Sequence, residues 1–270
     1  MNWLVPEVVP IPSDFVGFDP TNHLPDADFK AYHRHLPHWR RKGACYGVTF
    51  RLRDSLPNDV ILAFQAERAE WLKRLDEAAR SACGEVPVSE REAWEKFGRE
   101  QHVRLDRFLD GGRGECLWKA PDFRSVLCSA LHHFDGERVE LQAYVIMPNH
   151  VHILCRPLGE TRLEELCGSW KRRSAQQVQR RLGRTGALWL DESHDRIIRG
   201  AIHYQRAVCY IARNPIEAGL SSHEATVWFH PRIREANGWP LVGNVLARVS
   251  IVIFKGFNRQ TSRRCLSVVR

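Results

Sequence analysis

The chain has 270 residues, of which 43% are hydrophobic and 27% charged, a composition typical of a globular protein rather than a disordered or membrane protein. No apolar run has the roughly 18 residues that a membrane-spanning helix needs, and the N-terminus lacks the basic start and apolar stretch of a signal peptide, so we expect a cytoplasmic protein with no membrane partner. The net charge of +8 favours a polyanionic partner, and the eight cysteines, scattered without a CxxC pair, indicate neither a zinc knuckle nor a disulfide framework.

The first part of the chain predicts an arm, one strand and a helical insertion. Residues 1–40 are rich in Pro, Asp and His and lack periodicity, so we assign them to an extended N-terminal arm. Residues 46–54 alternate as a strand does. Apolar residues then recur at helical spacing in two successive stretches, the second of which is closed by Gly111 and Gly112. These stretches predict a helical insertion over about 58–110.

The central part of the chain predicts a hairpin between helices. A helix over about 122–134 precedes two strands, RVELQAYVIM and HVHILCRP, which a Pro-Asn turn joins. A basic amphipathic helix over 161–183 follows. A last helix runs from about 201 to 213 and is expected to end where Asn214 precedes a proline. This order of elements indicates an α+β fold with an antiparallel sheet covered by helices on one face.

Two histidines follow the turn of this hairpin, in the stretch AYVIMPNHVHILCRP. Because residues i and i+2 of a strand share a face, His150 and His152 project together. Two neutral imidazoles less than about 7 Å apart can chelate one divalent ion, although a third ligand must come from elsewhere. The ordinary alternative is a pair of half-exposed strand histidines. Leu154, in place of a third histidine, argues against the histidine-triad nucleotide hydrolases.

A tyrosine and an asparagine share one face of the last predicted helix. Tyr210 and Asn214 stand four residues apart. A tyrosine hydroxyl with a pKa of about 10 is a poor nucleophile, but a metal that polarises a substrate phosphate reduces this difficulty. The amide oxygen of Asn214 suits magnesium or manganese. The ordinary alternative is a tyrosine packed on the sheet and an asparagine that caps the helix.

The basic helix is the candidate DNA-binding element. Its cationic side chains are Lys171, Arg172, Arg173, Arg180 and Arg181. Trp170 and Trp189 add aromatic surfaces on which bases could stack. The alternative is a solvated helix face, which is the more common meaning of such a charge run.

Several of these motifs, in this order, resemble one known family. VIMPNHVHIL followed by YIARNPIEAGL resembles the single-tyrosine HUH transposases. LPHWRRKGACYGVTFRLRDSLP, LDRFLDGGRGECLW and SHDRIIRG are similar to the subgroup of REP-associated tyrosine transposases. The resemblance covers about 36–220. It implies a ferredoxin-like (RRM-like) α+β sheet, a catalytic domain over 41–220 and a divergent C-terminal tail over 221–270.

The resemblance also implies roles for individual residues. His150 and His152 match the metal ligands, Tyr210 the nucleophile and Asn214 the third ligand, with Mg²⁺ or Mn²⁺ as the cofactor. Tyr204 is a rival hydroxyl on a different face of the same helix, but the YIARNP context favours Tyr210.

Two further residues are accessory candidates, and two departures from the family pattern are visible. His194 matches a recurrent family position, and Asn149 stands beside the histidine pair. Leu190 follows Trp189 where the family often has glutamine. The ending VSIVIFKGFNRQTSRRCLSVVR matches no familiar pattern, which places tail-dependent functions in question more than the catalytic centre.

The implied function is cleavage and rejoining of single-stranded DNA at hairpin-forming, REP-like elements through a 5′-phosphotyrosine. The expected partners are single-stranded DNA hairpins, the expected location is the nucleoid, and the choice between monomer and homodimer stays open. Two alternative functions belong to other classes of protein. One is a non-catalytic DNA- or RNA-binding regulator that keeps the fold, and the other is a replication initiator or relaxase-type nickase.

Overall fold

The structure is a computed structural model that describes residues 3–18, 29–33, 37–82, 86–191 and 193–241. The strands in these ranges are β1 (Phe29–His33), β2 (Pro37–Arg41), β3 (Tyr46–Arg51), β4 (Val139–Ile146), β5 (His150–Pro157), β6 (His194–Ile197) and β7 (Thr226–Phe229). The α-helices are α1 (Asn58–Ser81), α2 (Val88–Asp110), α3 (Pro121–Leu131), α4 (Leu163–Leu182), α5 (Ala201–Glu217) and α6 (Pro231–Ala236). Each helix predicted from periodicity has a counterpart among α1 to α5.

An antiparallel sheet in the order β6-β3-β5-β4-β7 forms the centre of the fold. Along the chain, β3, α3, β4, β5, α4 and β6 follow the β-α-β-β-α-β path of ferredoxin-like folds. The helices α1 and α2 interrupt this path between β3 and α3, in the segment predicted as an insertion. The predicted α+β class with an antiparallel, ferredoxin-like sheet is confirmed.

The sheet carries helices on both faces. Val151 and Ile153 of β5 pack in a core with residues of α3 and α4. Leu154, which points the other way, packs in a second core with Val208 and Ile211 of α5. The expectation of helices on one face therefore holds for α3 and α4 but omits α5. Periodicity shows that α5 has an apolar face, but it does not show which side of the sheet that face covers.

Helix α5 runs past the proline at which it was expected to end. Pro215 lies inside the helix, which continues to Glu217. A proline disfavours the helical conformation for the residue before it and cannot donate a hydrogen bond to the carbonyl four residues back, so it weakens the helix, which ends two residues later. The backbone N–H of Ala218 still reaches the carbonyl of Asn214, at 3.0 Å. The extra turn keeps Asn214 inside the helix.

Both ends of the described chain pack against this sheet. The indole nitrogen of Trp3 donates to the carbonyl of Leu220, and Asn237 accepts from the backbone N–H groups of Glu7 and Val8. Strand β7 lies beyond the predicted boundary at Leu220 and pairs with β4. The sheet therefore extends into the segment assigned to the tail, whereas the unmatched ending over 249–270 lies outside the described residues.

None of the helices in the described ranges combines the length and the apolar character that a membrane crossing requires.

Candidate active site

The two histidines of β5 lie on the face of the sheet that α5 covers. His150 and His152 are 0% and 3% exposed, so the alternative of half-exposed strand histidines is wrong. Their ring centroids are 4.8 Å apart and their planes are nearly perpendicular, at 83°. The sheet register places Arg51 and Thr49 of β3 beside them. Two buried imidazoles in contact need a structural or chemical reason, because burial of polar groups costs free energy.

Asn149 fixes the tautomer of His150. Its amide nitrogen donates to the carbonyls of Leu109 and Arg113, at 3.1 and 3.0 Å, so its amide oxygen is the atom that faces His150 Nδ1, at 2.7 Å. The Nδ1 atom must therefore carry the proton. The lone pair of His150 is consequently on Nε2, which is buried and has no hydrogen-bond partner within the described residues. Metal-binding histidines are held in this manner.

His152 is arranged similarly. Its Nδ1 lies 2.7 Å from the hydroxyl of Thr49, which can accept a hydrogen bond from Nδ1–H and leave the Nε2 lone pair available. Burial, with a smaller contribution from Arg51, lowers the pKa of His150 to about 3. Burial and the neighbouring His150 lower the pKa of His152 well below its usual value. Both rings are therefore neutral at pH 7, which is the form that binds a metal.

Tyr210 presents its hydroxyl to this histidine pair. The ring of Tyr210 lies 5.2 Å from that of His152, and its hydroxyl is 3.4 Å from His152 Nε2. The same hydroxyl donates to Oδ2 of Asp106 on α2, at 2.7 Å. The rival Tyr204 is fully buried in the core, where its hydroxyl donates to Gln142. The structure thus brings one of the two tyrosines to the histidines.

Several polar atoms around Tyr210 are buried without a partner. Within the described residues, no hydrogen bond reaches Asn214 Oδ1, Asp106 Oδ1, His102 Nδ1 or His150 Nε2. An unsatisfied buried polar atom costs about 1–3 kcal/mol, so such atoms mark a place where a ligand or ion belongs. Each of these atoms can offer a lone pair to a metal ion, so together they fit a bound cation. No group of three or more His, Cys, Asp or Glu residues forms a metal site in the described ranges, so the candidate set depends on the amide of Asn214.

The donor set distinguishes between the two expected cations. The proposed ligand set combines two imidazole nitrogens with one amide oxygen. Imidazole suits transition metals better than it suits Mg²⁺, while amide oxygen suits both Mg²⁺ and Mn²⁺. The residues present therefore fit Mn²⁺ better than Mg²⁺.

Two carboxylates of α2, Asp106 in contact and Asp110 nearby, act on the tyrosine hydroxyl. Burial raises the pKa of Asp106, although His102 and the hydrogen bond from Tyr210 oppose this. Burial and the charge of Asp106 raise the pKa of Tyr210 far above its usual value. Burial, then the charges of Asp106 and Glu217, raises the pKa of Asp110 to about 6. Tyr210 is consequently protonated at rest, and Asp106 is the group in position to receive its proton.

The raised pKa of Asp110 predicts a pH-dependent stability. The folded protein favours the protonated carboxyl, so its contribution to stability is complete below about pH 4 and is lost as the pH rises through about 6. We expect Asp110→Asn to raise the free energy of unfolding by about 1–2 kcal/mol above pH 6, after allowance for partial exposure, and to have little effect at pH 4. Urea unfolding between pH 4 and 8 measures this. The control is Asp76→Asn, at an exposed carboxylate on α1. An equal change at both pH values would contradict the prediction.

His194 and His102 form the neighbouring wall of the site. His194, on β6, pairs in register with Thr49 of β3, and its ring stacks on that of His102, 5.0 Å away at 19°. Burial, with His102 as the next cause, lowers the pKa of His194 to about 3. His194, which the sequence motif suggested as an accessory residue, therefore adjoins the site. What it does there stays a prediction.

The basic helix lies on the other side of the sheet. Helix α4 packs in the core that contains Val151 and Ile153, so it is separated by the sheet from Tyr210. Lys171 donates to the carbonyls of Leu190 and Asp191. The guanidinium groups of α4 are exposed: Arg172, Arg173, Arg180 and Arg181. DNA binding by α4 stays a prediction, and α4 is not the element that meets a phosphate at Tyr210.

Sequence reasoning missed two residues of the site that α2 supplies. His102 and Asp106 stand four residues apart on α2, with His102 Nε2 3.4 Å from Asp106 Oδ2. An i, i+4 pair of this kind shares a helix face, which is a signal that the sequence does contain. The contact between Asp106 and Tyr210, which lie 104 residues apart, depends on how the insertion folds back.

Comparisons with known proteins add little. No protein-family profile and no curated protein matches the chain. Among solved structures, the chain is similar to a REP-associated tyrosine transposase bound to a REP hairpin, with 15% identity over 79% of this chain and 92% of the other, and a TM-score of 0.39. At this identity and TM-score the likeness does not establish an activity for the chain.

Proposed function

We propose that the protein is a metal-dependent transposase-type endonuclease that cleaves and rejoins single-stranded DNA through a 5′-phosphotyrosine on Tyr210. One observation carries the proposal. The Tyr210 hydroxyl lies 2.7 Å from a carboxylate oxygen of Asp106 and 3.4 Å from Nε2 of His152, so a nucleophile, a proton acceptor and a metal ligand meet at one atom. The sequence motifs support hairpin-forming DNA as the substrate.

The chemistry is an in-line phosphoryl transfer. Asp106 accepts the proton of Tyr210 as the tyrosine oxygen attacks the scissile phosphorus. A bond forms between the tyrosine oxygen and phosphorus, the bond from phosphorus to the 3′ oxygen breaks, and that oxygen takes up a proton. The DNA 5′ end is then held on Tyr210 as a phosphodiester. A 3′ hydroxyl that attacks this linkage rejoins the strand, because the covalent bond conserves the energy of the original linkage.

The cation has a limited part in the proposal. Nε2 of His150, Nε2 of His152 and Oδ1 of Asn214 would hold it. A divalent ion there would neutralise charge on the scissile phosphate. Asn149 and Thr49 keep the imidazoles in the orientation this requires. A divalent ion there would also offset the repulsion between the phosphate and the carboxylate of Asp106.

The test uses the full chain and labelled single-stranded hairpin oligonucleotides with flanking single strands. With Mn²⁺ we expect a covalent protein–DNA adduct that survives denaturing electrophoresis, at a lower yield with Mg²⁺ and none with EDTA. Fully duplex DNA of the same sequence is the control and should give no adduct. Absence of adduct on all hairpins, with retained binding, would favour the alternative of a non-catalytic DNA- or RNA-binding regulator.

The role proposed for Asp106 has its own test. We expect Asp106→Asn to slow adduct formation by roughly 10²–10⁴-fold, the usual loss when a general base is removed, without weakening the binding of single-stranded DNA. Single-turnover rates and binding isotherms measure the two effects separately. Glu100→Gln, at an exposed position on the same helix, is the matched control. A wild-type rate in Asp106→Asn would show that another group receives the proton.

A further inference from the structure

A cleft of about 1060 Å³ opens at Tyr210. Helix α2 of the insertion forms one wall, and β6 with the first half of α5 forms the other. Tyr210, His152 and Asp106 lie among its lining residues, and the α5 wall extends back to Ala201. At 1.5 Å per residue this wall is about 14 Å long. The cleft is therefore an elongated approach to the nucleophile, of a size that holds a few nucleotides of one strand but not a duplex.

Arginines predominate among the charged residues that line the cleft. Arg99 lines it from α2, and Arg196, Arg199 and Arg206 line it from the opposite wall. Among the described lining residues, Asp106 is the one carboxylate, and it contacts Tyr210. A cleft with several arginines and low-dielectric walls concentrates anions and tracks a phosphate backbone.

A half-buried histidine lies among these arginines. The pKa of His203, which lies between the arginines on the α5 wall, is lowered to about 4. Burial is the largest cause, and Arg196, Arg199 and Arg206 each add to it. The arginines thus act together on one point of the cleft.

Apolar side chains face the same space. Val103 of α2 is 48% exposed and Ile202 of α5 is 66% exposed, and both line the cleft from opposite walls. Large exposed apolar side chains beside arginines suit a ligand with both anionic and flat apolar parts. A single strand, with its phosphates and unpaired bases, is such a ligand.

We propose that this cleft binds the single-stranded DNA beside the scissile phosphate, and that the insertion helix α2 clamps the strand through Arg99 opposite Arg206. The proposal rests on the proposed function, since it names the path by which substrate reaches Tyr210. The DNA strand would then lie on one face of the sheet, whereas the basic helix α4 packs on the other face. The insertion is then part of the substrate site.

Charge reversal tests the clamp. Binding of an unstructured, labelled single-stranded DNA is measured by fluorescence anisotropy in EDTA, so that no cleavage occurs. We expect Arg206→Glu and Arg99→Glu each to weaken binding by about 10-fold or more at low salt, and to reduce the slope of log affinity against log salt by about one. The control Arg91→Glu, at an exposed arginine of α2 outside the cleft, should bind as the wild type does.

Lysine variants, which keep the positive charge, distinguish the loss of a DNA contact from a folding defect. Arg206→Lys and Arg99→Lys should restore most of the binding, and all variants should keep the wild-type thermal transition. Wild-type affinity in both Glu variants overturns the clamp, even where the protein forms adducts. If the wild type forms no covalent adduct but its DNA binding still depends on Arg99 and Arg206, the proposed nuclease activity is overturned and the clamp stands. Tighter binding of RNA than of DNA of the same sequence would overturn DNA as the ligand.

Discussion

Tyr210→Phe should abolish the covalent protein–DNA adduct. The change removes one oxygen and keeps the ring that packs 5.2 Å from His152, so the histidine pair and α5 should keep their positions. The lost hydroxyl is the atom that would bond to phosphorus, and no other atom of Tyr210 can replace it. We expect no detectable adduct and no cleavage on hairpin substrates with Mn²⁺, together with wild-type affinity for single-stranded DNA in EDTA.

The matched control is Tyr204→Phe, which makes the same chemical change on the same helix. The Tyr204 hydroxyl donates to Gln142 in the core, at 2.8 Å, so its loss should lower the free energy of unfolding by about 1 kcal/mol and leave the adduct intact. Denaturing electrophoresis and urea unfolding separate these outcomes. An adduct in Tyr210→Phe that disappears in Tyr204→Phe would reverse the assignment of the nucleophile.

Features of the site that depend on local spacing could be predicted from the sequence. His150 and His152 share a strand face because strands have a period of two, and Tyr210 and Asn214 share a helix face because they are one turn apart. The hairpin follows from a Pro-Asn turn between two apolar runs. These features involve few residues and do not depend on the rest of the fold.

Features that depend on distant contacts could not be predicted. Asp106 meets Tyr210 because α2 folds back over α5, and nothing in the local pattern of an amphipathic helix specifies its partner. The same limit applies to the face of the sheet on which α5 lies and to strand β7, whose four residues are too few for a clear alternation. Sequence patterns alone place no site residue in the insertion, because it lies far along the chain from the motif histidines.

Removal of a histidine ligand should abolish both metal binding and the adduct. We expect His150→Ala to lose Mn²⁺ binding, measured by calorimetry or by electron paramagnetic resonance of the free ion, whether or not DNA is present. Asn214→Ala removes the third donor without altering the histidine pair and should weaken Mn²⁺ binding by 10-fold or more, or about 1.4 kcal/mol. His133→Ala, at an exposed histidine outside the site, is the control. Unchanged Mn²⁺ affinity in both ligand variants would contradict the donor set.

The same donors predict a gain in stability on metal binding. Among the residues that the structure describes, His150 Nε2 and Asn214 Oδ1 find no hydrogen-bond partner, and each such buried atom costs about 1–3 kcal/mol. A bound ion would satisfy these atoms, and its binding stabilises the folded state by mass action, by about 2.7 kcal/mol at a free concentration 100 times its Kd. Mn²⁺ should therefore raise the thermal transition more than Mg²⁺ does, because the imidazole donors favour it. The shift should disappear in His150→Ala and persist in Tyr210→Phe, since the tyrosine is the proposed nucleophile and not one of the three proposed ligands. A shift that survives loss of His150 would place the ion elsewhere.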